Sequence, residues 1–422
     1  MPPQKSQKPP KQGSKSDKKK SSPPSGPRRK PQNQQQQRQP GSNDEAENKI
    51  EISSTIPVSL QQLLLNVFKA ALLPIHTSAS KDQATEDDTA EESQLDVKTL
   101  IQTLKSHLYN RDFESAFADA SGELLRAYAL RWSAARTLGY AGLFKSLLEA
   151  LFQEQRDAPS GGSERNHVVC IGGGAGAEIV ALAAAWRDLM DAQTGDLSDT
   201  LDAVSLETAK VKEPSSSSAS PSLSITAVDI GDWSMVVDRL SSTILSPDVP
   251  SSKSHPAPLL PTNSNFSVDF NRLDVLSLTD AELASLYHTT KSPSTTPTTL
   301  VTLMFTLNEL FSTSMAKATT FLLKTTDLLQ PGTILLVVDS PGSYSTLKLG
   351  KSDSSGVPQE RQYPMKFLLD HTLLSVAKGR WEKIYSQDSR WWRRDAARLW
   401  YDVGEGAGLE DMRFQIHVYR RL

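Results

Sequence analysis

The stretch VVCIGGGAGAE, residues 168–178, decides the fold. Four residues that suit a buried strand lead directly into a run of glycine and alanine, and residues 178–186 then have the composition of a helix. Glycine lets a chain turn tightly and approach a ligand without Cβ clashes, and a helix N-terminus offers free N–H groups and a positive dipole end. The pattern predicts a strand, a ligand-binding loop and a helix.

Two cofactors that contain a nucleoside suit this loop. Gly172, Gly174 and Ala177 fit the loose dinucleotide-binding pattern. Gly172, Gly174 and Gly176 equally suit S-adenosylmethionine, whose methionine portion must lie close against the loop. A tight turn without a ligand is the third interpretation, and the rest of the chain must decide between them.

Strands and helices alternate after the loop. Helical patterns at 233–245 and 315–329 separate apolar runs, which lie at 223–230, 266–270, 300–307 and 334–338. This alternation predicts a parallel sheet with helical crossovers. Residues 381–385 and 413–419 alternate as two further strands at the end of the chain. Together these strands and helices predict an α/β, Rossmann-like, seven-stranded class I methyltransferase sheet with a reversed last strand. This arrangement favours S-adenosylmethionine as the cofactor.

Acidic and amide residues follow three of these strands. Asp229 ends the second strand and can accept hydrogen bonds from ribose hydroxyls, or it can cap the next helix. Asp274 and Val275 follow the third strand, where an adenine amino group can be bound, although Asp274 also suits a turn. Asn308 and Glu309 follow the fourth strand and are predicted to face the donor methyl group, or to cap the following helix.

Charge is unevenly distributed along the 422 residues. Residues 1–40 carry eleven Lys or Arg and one acidic residue, whereas the whole chain has 46 Lys and Arg against 49 Asp and Glu. Residues 1–55 have almost no large apolar side chains, so we expect a disordered basic tail. Its basic clusters resemble nuclear targeting signals and can neutralise phosphates, or they only keep the chain soluble.

Two further regions follow the tail. Residues 56–155 have apolar residues at helical spacing and predict an N-terminal helical region. Residues 160–422 form the predicted methyltransferase domain. Stretches rich in Ser, Thr and Pro interrupt this domain and are predicted to be surface insertions: 191–221, 246–263 and 288–298.

Several protein classes are excluded at this stage. No apolar run approaches the roughly 20 residues that cross a bilayer, and the N-terminus lacks the apolar core of a secretory signal. Cys170 is the only cysteine, so an internal disulfide or a cysteine-based zinc site is impossible. We expect no membrane or metal partner, and a location in the nucleus or nucleolus, with the cytoplasm as a further compartment.

Several segments together resemble a family of fungal S-adenosylmethionine-dependent methyltransferases that methylate N3 of a uridine in 25S ribosomal RNA. The resemblance covers about residues 100–422 without the insertions. The segments that carry it are residues 126–132, 170–178, 228–230, 305–311, 338–344, 363–365 and 388–393. It implies S-adenosylmethionine as the cofactor and ribosomal RNA or a pre-ribosomal particle as the partner.

One position departs from the general methyltransferase pattern. The residue two positions before Gly172 is often acidic in such enzymes, and here it is Cys170. A conventional contact to the donor is therefore missing. Glu178, at the start of the following helix, is the residue that can substitute for it.

The implied reaction gives roles to residues near the predicted site. Uridine N3 carries an imide proton, which the Glu309 carboxylate can accept while Asn308 hydrogen-bonds the uracil edge. Aromatic side chains would stack on the extruded base and arginines would contact phosphates. The predicted substrate-binding residues are Phe311, Tyr344, Tyr363, Trp391 and Arg393; for Trp391 and its neighbour Trp392, packing in the core is the alternative.

Three other functions remain open from the sequence. A methyltransferase acting on a small molecule or a protein would share every cofactor residue, but would not need the basic tail. A noncatalytic RNA-binding ribosome-assembly factor could keep the same fold. A nicotinamide-dependent oxidoreductase fits least well, because such enzymes normally have a further substrate domain and none follows here.

Overall fold

The computed structural model describes residues 48–73, 95–157, 165–204, 222–288, 298–342, 344–349 and 359–422. Its strands are β1 (Arg165–Ile171), β2 (Ser222–Asp229), β3 (Asn265–Arg272), β4 (Thr298–Met304), β5 (Ile334–Asp339), β6 (Tyr344–Leu349), β7 (Gln359–Pro364), β8 (Trp381–Trp392) and β9 (Met412–Arg421). Seven of these described strands form one sheet in the order β3-β2-β1-β4-β5-β9-β8, and β6 pairs with β7 in a separate hairpin.

The sheet reverses its winding between β1 and β4. From β1 the chain moves outward to β2 and β3, then returns to place β4 on the other side of β1, and all these neighbours are parallel. β9 inserts antiparallel between β5 and β8. This confirms the predicted Rossmann-like, seven-stranded sheet with a reversed last strand. In such sheets a ligand binds beyond the carboxyl ends of the strands, at the point where the winding reverses.

Ten α-helices connect or precede the described strands. They are α1 (Val58–Leu72), α2 (Val97–Tyr109), α3 (Gly122–Tyr128), α4 (Ala134–Asp157), α5 (Ala177–Val204), α6 (Ser234–Ile244), α7 (Asp280–Leu286), α8 (Leu307–Thr313), α9 (Met315–Leu328) and α10 (Met365–Asp370). A π-helical turn, Ala129–Ser133, joins α3 to α4 without a loop. No helix in these described ranges is long and apolar enough to cross a membrane.

Helices cover both faces of the sheet. Val168 and Cys170 of β1 pack in one core cluster with residues of α1, α4, α5 and α6. Val169 and Ile171 point to the opposite face and pack with residues of α7, α9 and α10. Because successive side chains of a strand alternate between faces, a strand buried on both sides reads as an uninterrupted apolar run. The N-terminal helices therefore share a core with the sheet.

The predicted end of the basic tail at residue 55 is wrong. Ile52 is only 1% exposed and belongs to the core. The Lys49 backbone N–H donates to the Ile384 carbonyl at 2.8 Å, and Arg390 donates to the Ile52 carbonyl. Residues 48–55 therefore pack against β8, because two isoleucines, Ile50 and Ile52, anchor a segment that is otherwise polar. Residues 1–47 lie outside the described residues.

The stretch 246–263 is irregular, as predicted, but it is not a surface insertion. Val249, Leu259 and Leu260 are buried in the core. The Asn66 side chain of α1 donates to the Pro250 carbonyl at 2.6 Å. The segment therefore fills space between α1 and the sheet. Of the other predicted insertions, residues 191–204 continue α5, whereas 205–221 and 289–297 lie outside the described residues.

Candidate active site

A cavity of about 360 Å³ lies at the carboxyl ends of β1, β2 and β4. This volume is within the range of small-molecule sites, about 300–1,000 Å³. Three parts of the chain line it: the glycine loop, the segments after the strands, and the N-terminal helical region. The position is the one that the winding of the sheet predicts.

The glycines of the loop are required by its own packing. Gly172 and Gly176 have positive φ angles of 77° and 81°, which glycine adopts without strain. A Cβ at Gly172 would lie 2.1 Å from Thr306 Oγ1, and one at Gly174 would lie 2.3 Å from Trp233 Cδ1. Gly172 lines the cavity, whereas Gly174 and Gly176 lie behind its wall. The loop therefore fixes the start of α5 against the cavity.

Asp229 is held at the cavity wall by the glycine loop. Its Oδ2 accepts from the Gly174 N–H at 3.2 Å, and its Oδ1 accepts from the Gly231 N–H at 3.1 Å. Burial raises the pKa of Asp229 to about 6, although these backbone hydrogen bonds oppose the shift. Each oxygen keeps a second acceptor site. Asp229 therefore lies at the cavity wall, and its predicted role as the acceptor for ribose hydroxyls stays a prediction.

Asp274 and Val275 also line the cavity, on the side of β3. Val275 is buried and supplies an apolar wall. Asp274 is exposed, and its carboxylate accepts from the Leu276 N–H at 2.9 Å and from Ser277 Oγ at 2.6 Å. Asp274 thus forms the turn that the alternative interpretation predicts, while remaining at the cavity wall.

Glu178 lies beneath the loop, where the usual acidic residue is missing. It is 3% exposed, and it accepts a hydrogen bond from Thr302 Oγ1 of β4 at 2.5 Å. Burial raises its pKa to about 8. The same burial and the neighbouring Glu178 raise the pKa of the Cys170 thiol. Glu178 therefore brings a carboxyl group to the space beside Cys170 and lines the cavity.

The two predicted catalytic residues have different positions. Glu309 lines the cavity, and burial, followed by the charge of Asp339, raises its pKa to about 8. Asn308 is not among the cavity-lining residues: its backbone N–H donates to Asp339 Oδ2 at 3.0 Å, and its Oδ1 is buried without a partner in the described structure. Of the two predicted catalytic residues, Glu309 is therefore the one that borders the cavity.

Four of the predicted substrate-binding residues have described side chains, and these do not line the cavity: Phe311, Tyr363, Trp391 and Arg393. Phe311 is 2% exposed and packs in the core, so its predicted role in stacking a base is wrong in this structure. Tyr363 stacks on Phe367 with ring centroids 5.5 Å apart. Trp391 is 51% exposed, which excludes core packing, and the Arg393 guanidinium lies 4.8 Å from its ring centroid. The side chain of Tyr344 lies outside the described residues.

The helical region also contributes to the cavity wall, which none of the sequence motifs predicts. Tyr128, Arg136 and Tyr140 line it from α3 and α4, and Phe117 lines it from the turn before α3. The available signal was Arg136, a charged residue within an otherwise apolar stretch of helix. In the described ranges, no group of three or more His, Cys, Asp or Glu side chains could hold a metal ion.

Comparisons with known proteins identify the ligand of such a cavity. A family model of SAM-dependent methyltransferases matches residues 80–420. The 25S rRNA (uridine(2843)-N(3))-methyltransferase of Saccharomyces cerevisiae is 31% identical over 382 residues, which cover 89% of this chain and 88% of that protein.

Solved structures of methyltransferases are more distant. A SAM-dependent methyltransferase of Methanosarcina mazei is 11% identical and has a TM-score of 0.31, covering 61% of this chain and 93% of its own. The N-methyltransferase NodS of Bradyrhizobium japonicum, solved with S-adenosylhomocysteine, is 10% identical with a TM-score of 0.24, covering 65% and 86%. The match of the family model and the identity to the yeast enzyme show that this chain belongs to the S-adenosylmethionine-dependent methyltransferases.

Proposed function

We propose that this protein transfers a methyl group from S-adenosylmethionine to N3 of a uridine in large-subunit ribosomal RNA. The observation that carries the proposal is the 31% identity to the yeast 25S rRNA (uridine-N3)-methyltransferase, which extends over nearly the whole of both chains. A similarity limited to the cofactor-binding half would support the methyl donor alone. Here the aligned part is far longer than that half, and the match of the family model extends to residue 420, through β8 and β9, which are not among the elements lining the cavity.

Glu309 supports the chemistry of this reaction. Bound S-adenosylmethionine supplies an electrophilic methyl group. Uracil N3 carries a proton that must leave as the nitrogen attacks, and the Glu309 carboxylate, at the cavity wall, is the group that accepts it. A base with a pKa of about 8 holds a proton more tightly than an ordinary glutamate, which favours the transfer.

Trp391 supports an RNA substrate. In the register of the sheet, Trp391 pairs with Arg413, two positions beyond the pair of Asp339 and Gln415 at the end of β5. Trp391 therefore lies at the same edge of the sheet as the cavity. The strand order puts three strand spacings between β4 and β8, about 14 Å at roughly 4.8 Å per strand. This separation suits a nucleotide that flanks the target.

The surroundings of Trp391 suit single-stranded RNA. The guanidinium groups of Arg393 and Arg413 lie 4.8 and 5.8 Å from the ring centroid. Arg393 also donates to Asp411 at 3.1 Å, and Arg413 donates to Ser389 at 3.0 Å. An exposed aromatic face beside cationic groups binds a base by stacking and the adjacent phosphates by charge. We assign the basic tail to retention near ribosomal RNA in the nucleus or nucleolus during ribosome biogenesis.

Methyl transfer to deproteinised ribosomal RNA tests the proposal. Large-subunit RNA from cells that lack the protein is incubated with purified protein and labelled S-adenosylmethionine, and the nucleosides are analysed by mass spectrometry. We expect 3-methyluridine with the wild type, and its formation at least about 100-fold more slowly with Glu309→Gln. Label on another nucleoside, on protein or on a small molecule would contradict the assigned substrate. RNA binding without any transfer would indicate a noncatalytic assembly factor.

A further inference from the structure

Arg136 brings an unpaired positive charge into the cavity. It lies in the first turn of α4 and lines the cavity. Its Nη1 donates to the Tyr128 hydroxyl at 2.8 Å. No carboxylate within the described ranges forms an ion pair with it, in contrast to Arg131, which pairs with Glu410. A guanidinium has five N–H donors, so most of those on Arg136 remain available to a ligand.

Arg136 is held in place on two sides, by contacts of its guanidinium and by the anchoring of the helix that carries it. Its Cζ lies 4.4 Å from the centroid of the Phe305 ring, which follows β4. Phe305 has a φ of 60°, a conformation rare for a bulky residue, and its N–H donates to the Val338 carbonyl at 2.7 Å. On the other side, Thr137 Oγ1 donates to the carbonyl of Ala177, at the start of α5, at 2.8 Å. Arg136 is therefore fixed beside the glycine loop.

Aromatic rings attract a guanidinium, but a charge that is removed from water still needs a counter-ion to offset its lost hydration. Arginine pairs with carboxylates through two parallel hydrogen bonds, and this fork suits a planar anion. S-adenosylmethionine carries one carboxylate, on the methionine portion that lies against the glycine loop. We propose that Arg136 binds this carboxylate and so distinguishes the intact donor from analogues that lack it. The proposal rests on the cofactor in the proposed function, and not on the RNA substrate.

The charge of Arg136 also acts on two carboxyl groups of the cavity, Glu309 and Glu178, and lowers the pKa of each. Arg136 lowers the pKa of Glu309, against the larger effects of burial and Asp339. If this were its only role, removal of Arg136 would change the pH dependence of the reaction but not the choice between donor analogues. The two roles therefore differ in a binding measurement made without RNA.

The test compares two ligands that differ in the carboxylate alone. Calorimetric titration gives the affinities of S-adenosylhomocysteine and of decarboxylated S-adenosylhomocysteine for the wild type and for Arg136→Met. We expect Arg136→Met to bind S-adenosylhomocysteine about 30-fold less tightly, and the decarboxylated ligand within threefold of the wild type. Asp229→Asn is the matched control, and should weaken both ligands equally because both contain the ribose.

The ratio of the two affinities decides the outcome. It is measured on one preparation, so partial unfolding of a variant does not affect it. The proposal is overturned if Arg136→Met has the same affinity ratio as the wild type. It is also overturned if the wild type binds the two ligands equally well, and this comparison does not depend on the folding of any variant. Failure of the wild type to bind either ligand overturns the cofactor assignment and this proposal together. If Arg136→Met changes the ratio of the two affinities as expected but the wild type does not methylate RNA, only the assigned substrate is contradicted.

Discussion

Replacement of Glu309 by glutamine tests the assigned base and its environment together. Glutamine keeps the size and the hydrogen-bonding shape of the side chain but cannot accept the imide proton. General base catalysis contributes about 10²- to 10⁴-fold to a rate, so single-turnover methyl transfer should slow by at least about 100-fold. Binding of S-adenosylhomocysteine should stay within a few-fold of the wild type, because the proton is exchanged with the uracil and not with the donor.

The pKa of Glu309 predicts the pH profile. Burial raises it first, the Asp339 and Asp229 charges raise it further, and Arg136 lowers it, to give about 8. A proton acceptor works only when ionised, which applies to about one tenth of the molecules at pH 7 and nine tenths at pH 9. The wild-type rate should therefore rise about tenfold over this range. Asp339→Asn removes a negative charge and should move the midpoint to lower pH.

Glu309→Gln also serves as the control for ionisation of the uracil itself. Uracil itself loses its imide proton at alkaline pH, so some increase with pH is expected without any base. The ratio of wild-type to variant rates removes this contribution, and it should grow from pH 7 to pH 9 with a midpoint near 8. A ratio that is independent of pH, or a variant that keeps more than a tenth of the wild-type rate, would refute the assignment of Glu309 as the base.

The remaining predictions concern the donor site, stability and RNA. Burial gives Asp229 a pKa of about 6, so donor affinity should fall about tenfold from pH 7 to pH 5 and lose this dependence in Asp229→Asn. The pKa of Glu178 rises from 4.5 to about 8 on folding, so the folded protein binds the extra proton and its unfolding free energy falls as pH rises between these values; Glu178→Gln should flatten this slope in urea titrations. Ile52→Ala should destabilise the protein by about 2–4 kcal/mol in the same assay. Trp391→Ala should weaken RNA binding by about 1–3 kcal/mol in filter binding. Trp400→Ala, which removes another exposed tryptophan, should not.

The fold was predictable because its signals are local. The run at residues 168–171 is apolar at every position, which is typical of a strand covered on both faces, and the glycines mark the turn into α5. The alternation of strands with helices then leaves few arrangements for the sheet. The order of the strands follows from winding rules rather than from contacts. These rules need no knowledge of which side chains meet across the sheet.

The site was less predictable because it depends on contacts between distant parts of the chain. Asp229 and Glu309 follow strands, so topology alone brings them to one edge of the sheet. Phe311 is close to Glu309 in sequence, but it is two residues further along α8 and points into the core. Arg136 is 173 positions before Glu309, and no periodic pattern relates the two. The predicted tail boundary at residue 55 was wrong for the same reason, because the partners of Lys49 and Ile52 lie far along the chain, in β8.

The helical region and the sheet form one functional unit. Residues 46–422 form one compact unit, and the cavity has Arg136 on one wall and Asp229 on another. Residues 160–422 contain every position that the donor motif would identify, yet they lack Tyr128, Arg136 and the apolar surface with which α1 and α4 cover one face of the sheet. Removal of the helical region would expose that face to water and open the cavity on the side of the methionine portion. The glycine loop is therefore a reliable sign of the fold but only part of the binding site, since the specificity for the donor carboxylate comes from a helix that precedes the motif.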